Sequence, residues 1–190
     1  MIDTVKKDAL RWQVKTTVRK WTEADVQRVR DVIKRDPSGD EMAAFGYVPE
    51  VVEDVNNGVT TAGLTRITSL LTGGGGQAFT NTACRLGVGD SSTAFATSQT
   101  DLQAAAGATH RQFYVMDATY PQVSAGTMTF QSTFASADAN FAWNEWCVDV
   151  GTPTVANGTT VNALMLNRKV ASLGTKASGA WTLTVTITLA

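Results

Sequence analysis

Trp181-Thr182-Leu183-Thr184-Val185-Thr186-Ile187-Thr188-Leu189 alternates without exception between a large apolar residue and threonine. A period of two puts the apolar residues on one face of an extended chain and the threonines on the other. Threonine is β-branched, so the second face favours the strand backbone as much as the first. The chain runs one residue further, to Ala190. A frayed apolar tail would invite aggregation, so this strand is expected inside a sheet rather than at its edge.

Its neighbours must come from upstream. Phe113–Tyr120, Thr127–Phe134, Trp143–Val150 and Leu164–Val170 read as strands, and Cys84, Leu86 and Val88 alternate with Arg85 and Gly87. Pro121–Gly126, Ser136–Asn140, Gly151–Thr160 and Ala171–Gly179 are rich in turn formers, and Ala94–Gly107 is a long loop of small polar residues. Strands and turns with no helical repeat between them predict a mainly β fold. The expectation is an antiparallel β-sandwich, jelly-roll-like, or a barrel. One helix should pack on it: Leu64, Ile67, Leu70 and Leu71 keep helical spacing, and Gly73–Gly76 ends the run.

The first forty residues read differently. Trp12, Val14, Thr16 and Val18 alternate with Arg11, Gln13, Lys15, Thr17 and Arg19, a strand with a basic face. Thr22 is placed as an N-cap, with Glu23 and Asp25 in the first turn and Val26, Val29 and Ile33 forming a narrow stripe. Asp36-Pro37-Ser38-Gly39-Asp40 should stop that helix. Residues 1–35 carry ten Lys/Arg against five acids, or +5, and the remainder carries −6. Such asymmetry predicts a basic strand–helix arm over residues 1–40 attached to a body over 41–190. Arg11, Lys15, Arg19, Arg28, Arg30, Lys34 and Arg35 are then the candidate interface cations. An acidic protein surface suits them better than nucleic acid, and removal of residues 1–35 should leave the body folded. Met42–Val55, with Val48, Val51, Val52 and Val55, is either an edge strand or a packed loop, and Asn56-Asn57-Gly58 is a turn.

The search for chemistry returns little. No apolar run approaches the ~18 residues of a membrane span, and the polar start shows no secretory leader, so a soluble, non-secreted protein is expected. Cys84 and Cys147 are too few for a disulfide framework and sit in strand-like runs, so both are expected as buried free thiols. His110 is the only histidine and has no nucleophile elbow beside it. One histidine and two distant cysteines leave little for zinc. Gly73–Gly76 is not followed by Gly-Lys-Ser/Thr, and Gly87-Val88-Gly89-Asp90 lacks a third glycine. Both are read as turns that need positive φ. Asp90, Ser91 and Ser92 lack an EF-hand spacing. Asp101, Asp117, Asp138, Glu145 and Asp149 are carboxylates that sequence alone does not bring together. Asn157-Gly158-Thr159 satisfies a glycosylation pattern but reads as an Asn-Gly turn. The expectation is a protein that is not an enzyme and takes no cofactor or metal.

Several runs nevertheless form a set. Leu70-Leu71-Thr72-Gly73-Gly74-Gly75-Gly76-Gln77-Ala78-Phe79, Leu86-Gly87-Val88-Gly89-Asp90-Ser91-Ser92-Thr93-Ala94 and Gln99-Thr100-Asp101-Leu102 are three of them. Met116-Asp117-Ala118-Thr119-Tyr120-Pro121, Asn140-Phe141-Ala142-Trp143-Asn144-Glu145-Trp146 and Leu166-Asn167-Arg168-Lys169-Val170 with Leu173-Gly174-Thr175-Lys176 complete it. Together they resemble a family of small structural proteins of tailed bacteriophages, over residues 62–190 and, through Trp12–Trp21, part of the first sixty. The resemblance implies a virion component without catalytic residues. The leading expectation is a capsid decoration or cement protein on the outer shell. It would bind the major capsid protein or other virion proteins, without membrane, as a homo-oligomer such as a trimer, after assembly in the bacterial cytoplasm. The competing expectations are a tail or baseplate component (a fibre or receptor-binding module) and a carbohydrate-binding β-sandwich. In the last, Trp143, Trp146 and Trp181 would stack on sugars. Their alternating positions favour the core instead, at least for Trp181, while Trp143 and Trp146 face opposite sides, which leaves room for one of them to be exposed.

Overall fold

A computed structural model describes residues 12–150 and 164–189. In chain order the elements are β1 (Trp12–Lys20), α1 (Glu23–Ile33), α2 (Gly39–Ala44), β2 (Glu50–Val55), β3 (Gly58–Val59) and α3 (Thr61–Leu71). They continue as β4 (Cys84–Gly89), β5 (Arg111–Val115), β6 (Gln122–Ser124), β7 (Thr127–Phe134), β8 (Ala142–Val150), β9 (Met165–Thr175) and β10 (Trp181–Leu189). Two five-stranded antiparallel sheets result, ordered β2-β1-β10-β7-β6 and β3-β9-β8-β4-β5. The chain is a mainly β protein, consistent with a sandwich, as the alternating runs predict.

The threonine-alternating strand β10 is the middle of the first sheet. It pairs with β1 from Trp12↔Leu189 to Lys20↔Trp181 and with β7 from Trp181↔Phe134 to Thr188↔Thr127. Its inward side chains Leu183, Val185 and Ile187 join Val14 and Val18 of β1 and Phe130 and Phe134 of β7. Across the core they meet Leu86 and Val88 of β4, Trp146, Val148 and Val150 of β8, and Leu166 and Leu173 of β9. Phe134, Trp143 and Trp181 pack edge to face at centroid spacings of 4.8 and 5.0 Å, the geometry that ring quadrupoles favour.

The strand–helix arm is a correction. β1 lies between β2 and β10 and contributes Val14 and Val18 to the core, so from Trp12 onward this segment is woven into the sandwich. Removing residues 1–35 would strip β10 of a nine-residue partner and expose its edge. α1 begins as predicted, with the Thr22 side chain accepting from the Asp25 N–H. Its Val26 and Val29 form a second small core with Trp21, Met42 and Ala180. α2 was not expected. Ser38 and Glu41 build a reciprocal capping box that restarts the helix just after the predicted stop.

On α3 the apolar stripe is only partly buried. Ile67 packs on the main core, while Leu64 and Leu71 are 54% and 81% exposed. Phe113–Tyr120 is a strand only to Val115, and β9 continues to Thr175 through most of an expected turn. The register between β8 and β9 shifts between Trp143 and Glu145, where residues 171–173 of β9 stand opposite Asn144 alone. On either side of that irregularity both Trp143 and Trp146 enter the core fully buried. None of Trp143, Trp146 and Trp181 presents a free face for a sugar.

Candidate functional site

The second sheet is buried on both sides. Its outer face carries Glu145, Cys147 and Asp149 of β8, Arg168 of β9, and Arg85, Gly87 and Gly89 of β4, and the 90–110 loop lies over it. Cys147 packs there with Leu102, Phe113 and Met165. Gly87 and Gly89 were read as turn residues, yet both lie within β4 and neither has positive φ. Their role is room. A Cβ at Gly87 would come within 2.6 Å of the Phe113 ring, and one at Gly89 within 2.6 Å of Glu145 Oε1.

Glu145 and Arg168 are completely buried and face each other at 2.5 Å, Nε to Oε2. Every remaining bond of the pair reaches the loop. Arg168 donates from Nη1 to Gln99 Oε1 at 3.0 Å and from Nη2 to the Thr93 carbonyl at 2.9 Å. Glu145 accepts the main-chain N–H of Ala104 at 2.7 Å and of Gln103 at 3.1 Å. Nearby, Arg111 donates to Asp101 at 2.6 Å, and burial raises the Asp101 carboxyl against the pull of Arg111. The Glu145–Arg168 pair is thereby committed to holding the loop down.

No reactive constellation forms among the described residues. His110 Nδ1 is 2.7 Å from Asp90, with the ring half exposed, and no hydroxyl or thiol hydrogen-bonds to it. Both cysteines are free and buried as expected. Burial, reinforced by Asp149, pushes the Cys84 thiol up to about 12 and raises Cys147 as well, so neither supplies a thiolate. Among the described residues no three His, Cys, Asp or Glu side chains cluster as a metal site. No helix of the described residues is long and apolar enough to cross a membrane.

The predicted cations are mostly spoken for. Lys15 pairs with Glu53, Arg19 with Asp40, Arg28 with Asp25, Arg30 with Glu23 and Asp36, and Arg35 with Glu41. Lys34 closes α1 in the left-handed conformation, and Arg11 lies outside the described residues. Part of the +5 excess is answered from outside its window: Asp36, Asp40, Glu41 and Glu53 follow residue 35 in sequence and return against Arg30, Arg19, Arg35 and Lys15 in space.

The segment is also locked from beneath. Asp117 accepts from the Thr133 N–H at 2.9 Å, from Thr133 Oγ1 at 2.8 Å and from Gln131 at 3.1 Å. Gln131 in turn accepts from Arg19 at 2.9 Å and donates to Asp40 at 3.3 Å. Burial lifts the Asp117 carboxyl above its usual range despite these donors. At the far end, Lys176 Nζ donates at 2.8 Å to each of the Ala135 and Asp138 carbonyls and Asn140 Oδ1. Burial lowers that ammonium to about 8.

Two open surfaces stand out among the described residues. One is the β2 edge of the first sheet. Val51 and Val55 of that strand are 51% and 58% exposed, and Phe45 and Val48, just before it, are 45% and 89% exposed. The strand's acids are neutralised from within, Glu50 by Lys20, Glu53 by Lys15 and Asp54 by Lys169. The other is a cleft of about 730 Å³ along α3, walled by Gly74–Gly76 and by Ser98 and Thr100. Sequence reading pointed to the valines of β2 but gave Arg66 in the cleft no role. No family model, curated protein or solved structure matches the chain.

Proposed function

We propose that this chain is a non-catalytic structural protein of a bacteriophage particle, a capsid decoration protein that joins its neighbours through the β2 edge. The observation that carries the proposal is the exposed apolar set of Phe45 and Val48, just before β2, and Val51 and Val55 on it, at an edge strand whose described partner is β1 alone. Single exposed apolar residues are ordinary. Four of them beside outward-facing main-chain groups make the surface that a solitary sheet protein blunts with charge or proline. Here the charges on the strand are already paired within the chain, Glu50 with Lys20, Glu53 with Lys15 and Asp54 with Lys169, so an incoming strand meets valine and backbone beside neutralised pairs. The resemblance in sequence to small tailed-phage virion proteins supports the same reading, and repetition over a shell would supply affinity through avidity.

The test is quantitative mass spectrometry of purified particles from the phage that encodes the chain. Hundreds of copies per particle are expected of a shell decoration, whereas a few dozen would move the protein to the tail. Absence from the particle would end the virion reading. Val51→Lys with Val55→Lys should leave a folded protein that no longer incorporates, and full incorporation of that variant would remove β2 as the contact.

A further inference from the structure

Seven of the eight arginines among the described residues have an acid beside them. Five of these lie in the surface or loop pairs of Arg19, Arg28, Arg30, Arg35 and Arg111, one is the buried Arg168–Glu145 pair, and Arg85 sits opposite Asp149 across β4 and β8. Arg66 alone has none. It projects from α3 into the cleft, and its Nε is buried without a hydrogen-bond partner. The guanidinium lies directly on Gly76, where a Cβ would collide with Nη1 and sit 2.7 Å from Cζ.

We propose that the cleft binds the phosphate group of a sugar or polyol phosphate. An unpaired guanidinium is a fork of fixed donors suited to phosphate oxygens. Gly74–Gly76 bring main chain to the same wall without side chains in the way, and Gly75 and Gly76 take positive φ of 79° and 105°. A backbone of that kind lets N–H groups approach an anion closely. Thr61, Thr65 and Ser69 on the helix and Ser98 and Thr100 opposite share the rest of the lining with Ala62 and Leu164, hydroxyls and carbon surface that suit the hydroxyls and C–H groups of a polyol. The cleft is within the ~300–1,000 Å³ typical of small-ligand sites. A phosphate offers three acceptor oxygens to this donor set where a carboxylate offers two. The site is separate from the β2 edge and stands whether or not that edge binds a shell.

Titration of the isotope-labelled protein with glycerol 3-phosphate and ribose 5-phosphate, followed by amide shifts, tests this at constant ionic strength. Saturable shifts centred on Gly74–Gly76 are expected, with binding at least tenfold weaker for glycerol, ribose and inorganic sulfate. Arg66→Gln should weaken binding at least tenfold, and Arg66→Lys should recover part of it. A glycerol phosphodiester separates the sources: tighter binding than the monoester points to a phosphate-linked polymer, weaker binding to a free ester, and either keeps the assignment. Glucuronate binding as tightly as the esters would overturn the phosphate assignment. So would equal binding by Arg66→Gln, or the absence of saturable shifts with any ester. Should Arg66→Gln fail to fold, Ser98→Ala replaces it, with weakened binding expected and unchanged binding counting against the site.

Discussion

The outer faces of the two sheets carry charge to opposite ends. On the first, ion pairs lie at the surface, as between Lys15 and Glu53, whose side chains are 55% and 53% exposed. On the second, Glu145 and Arg168 are completely buried beneath the 90–110 loop. Exposed pairs give up little hydration, gain little attraction in high dielectric and contribute about 0–1 kcal/mol. A buried pair has lost its hydration, so each partner depends on the other and on the bonds around it. The first sheet therefore tolerates editing of its charges. The second holds its cover by charges that cannot be removed singly.

The sharpest way to break this contrast is Glu145→Gln. It preserves shape but leaves Arg168 buried without its counter-charge, and the expected loss is about 3–5 kcal/mol by urea denaturation. Replacing both partners by methionine should recover much of that loss, because an apolar pair demands no compensation. A loss below about 1 kcal/mol for Glu145→Gln would mean that water reaches the pair and that the two faces do not differ. Cys147→Ser probes the apolar part of the same layer, between Phe113, Leu102 and Met165. Placing a hydroxyl there is expected to cost about 1–3 kcal/mol. An unchanged melting temperature would show that the loop lifts away from β8.

How much of this was legible follows the same division. Thr127–Phe134 and Trp181–Leu189 were bounded correctly from sequence because strict alternation is a local signal that packing only confirms. The Glu145–Arg168 pair spans 23 residues and a change of strand, and no local pattern announces it. That Trp143 and Trp146 both turn inward was not legible, because the irregular pairing of β8 with β9 beside them leaves no mark in residue type. The arm was misread for a related reason. A strand with a basic face looks detachable until its acids, which arrive later in the chain, are placed beside it. Ser38 and Glu41 were different, since the capping-box spacing stands in the sequence, where only the stop at Asp36–Asp40 was read. Arg66 gained meaning only once every other described arginine had a partner.

The smallest expected effect belongs to the exposed side and carries its own sign. The hydrogen bond from Arg35, helped by the Ser38 N–H and opposed by partial burial, lowers the Glu41 carboxyl from 4.5 to about 2. A carboxylate whose pKa falls on folding adds stability that is present above its unfolded value and lost as pH drops through its folded value. The Glu41 contribution should therefore be intact at neutral pH and fade between about 4.5 and about 2. The Glu41 side chain is 33% exposed, so screening and side-chain entropy hold its contribution below about 1 kcal/mol. Comparing Glu41→Gln with the parent by urea denaturation isolates it. The stability gap should be small near neutrality, close as the pH approaches 2, and shrink in high salt. A gap as large as that of Glu145→Gln would mean that α2 is held by a desolvated pair, and that the two faces carry their charge in the same way after all.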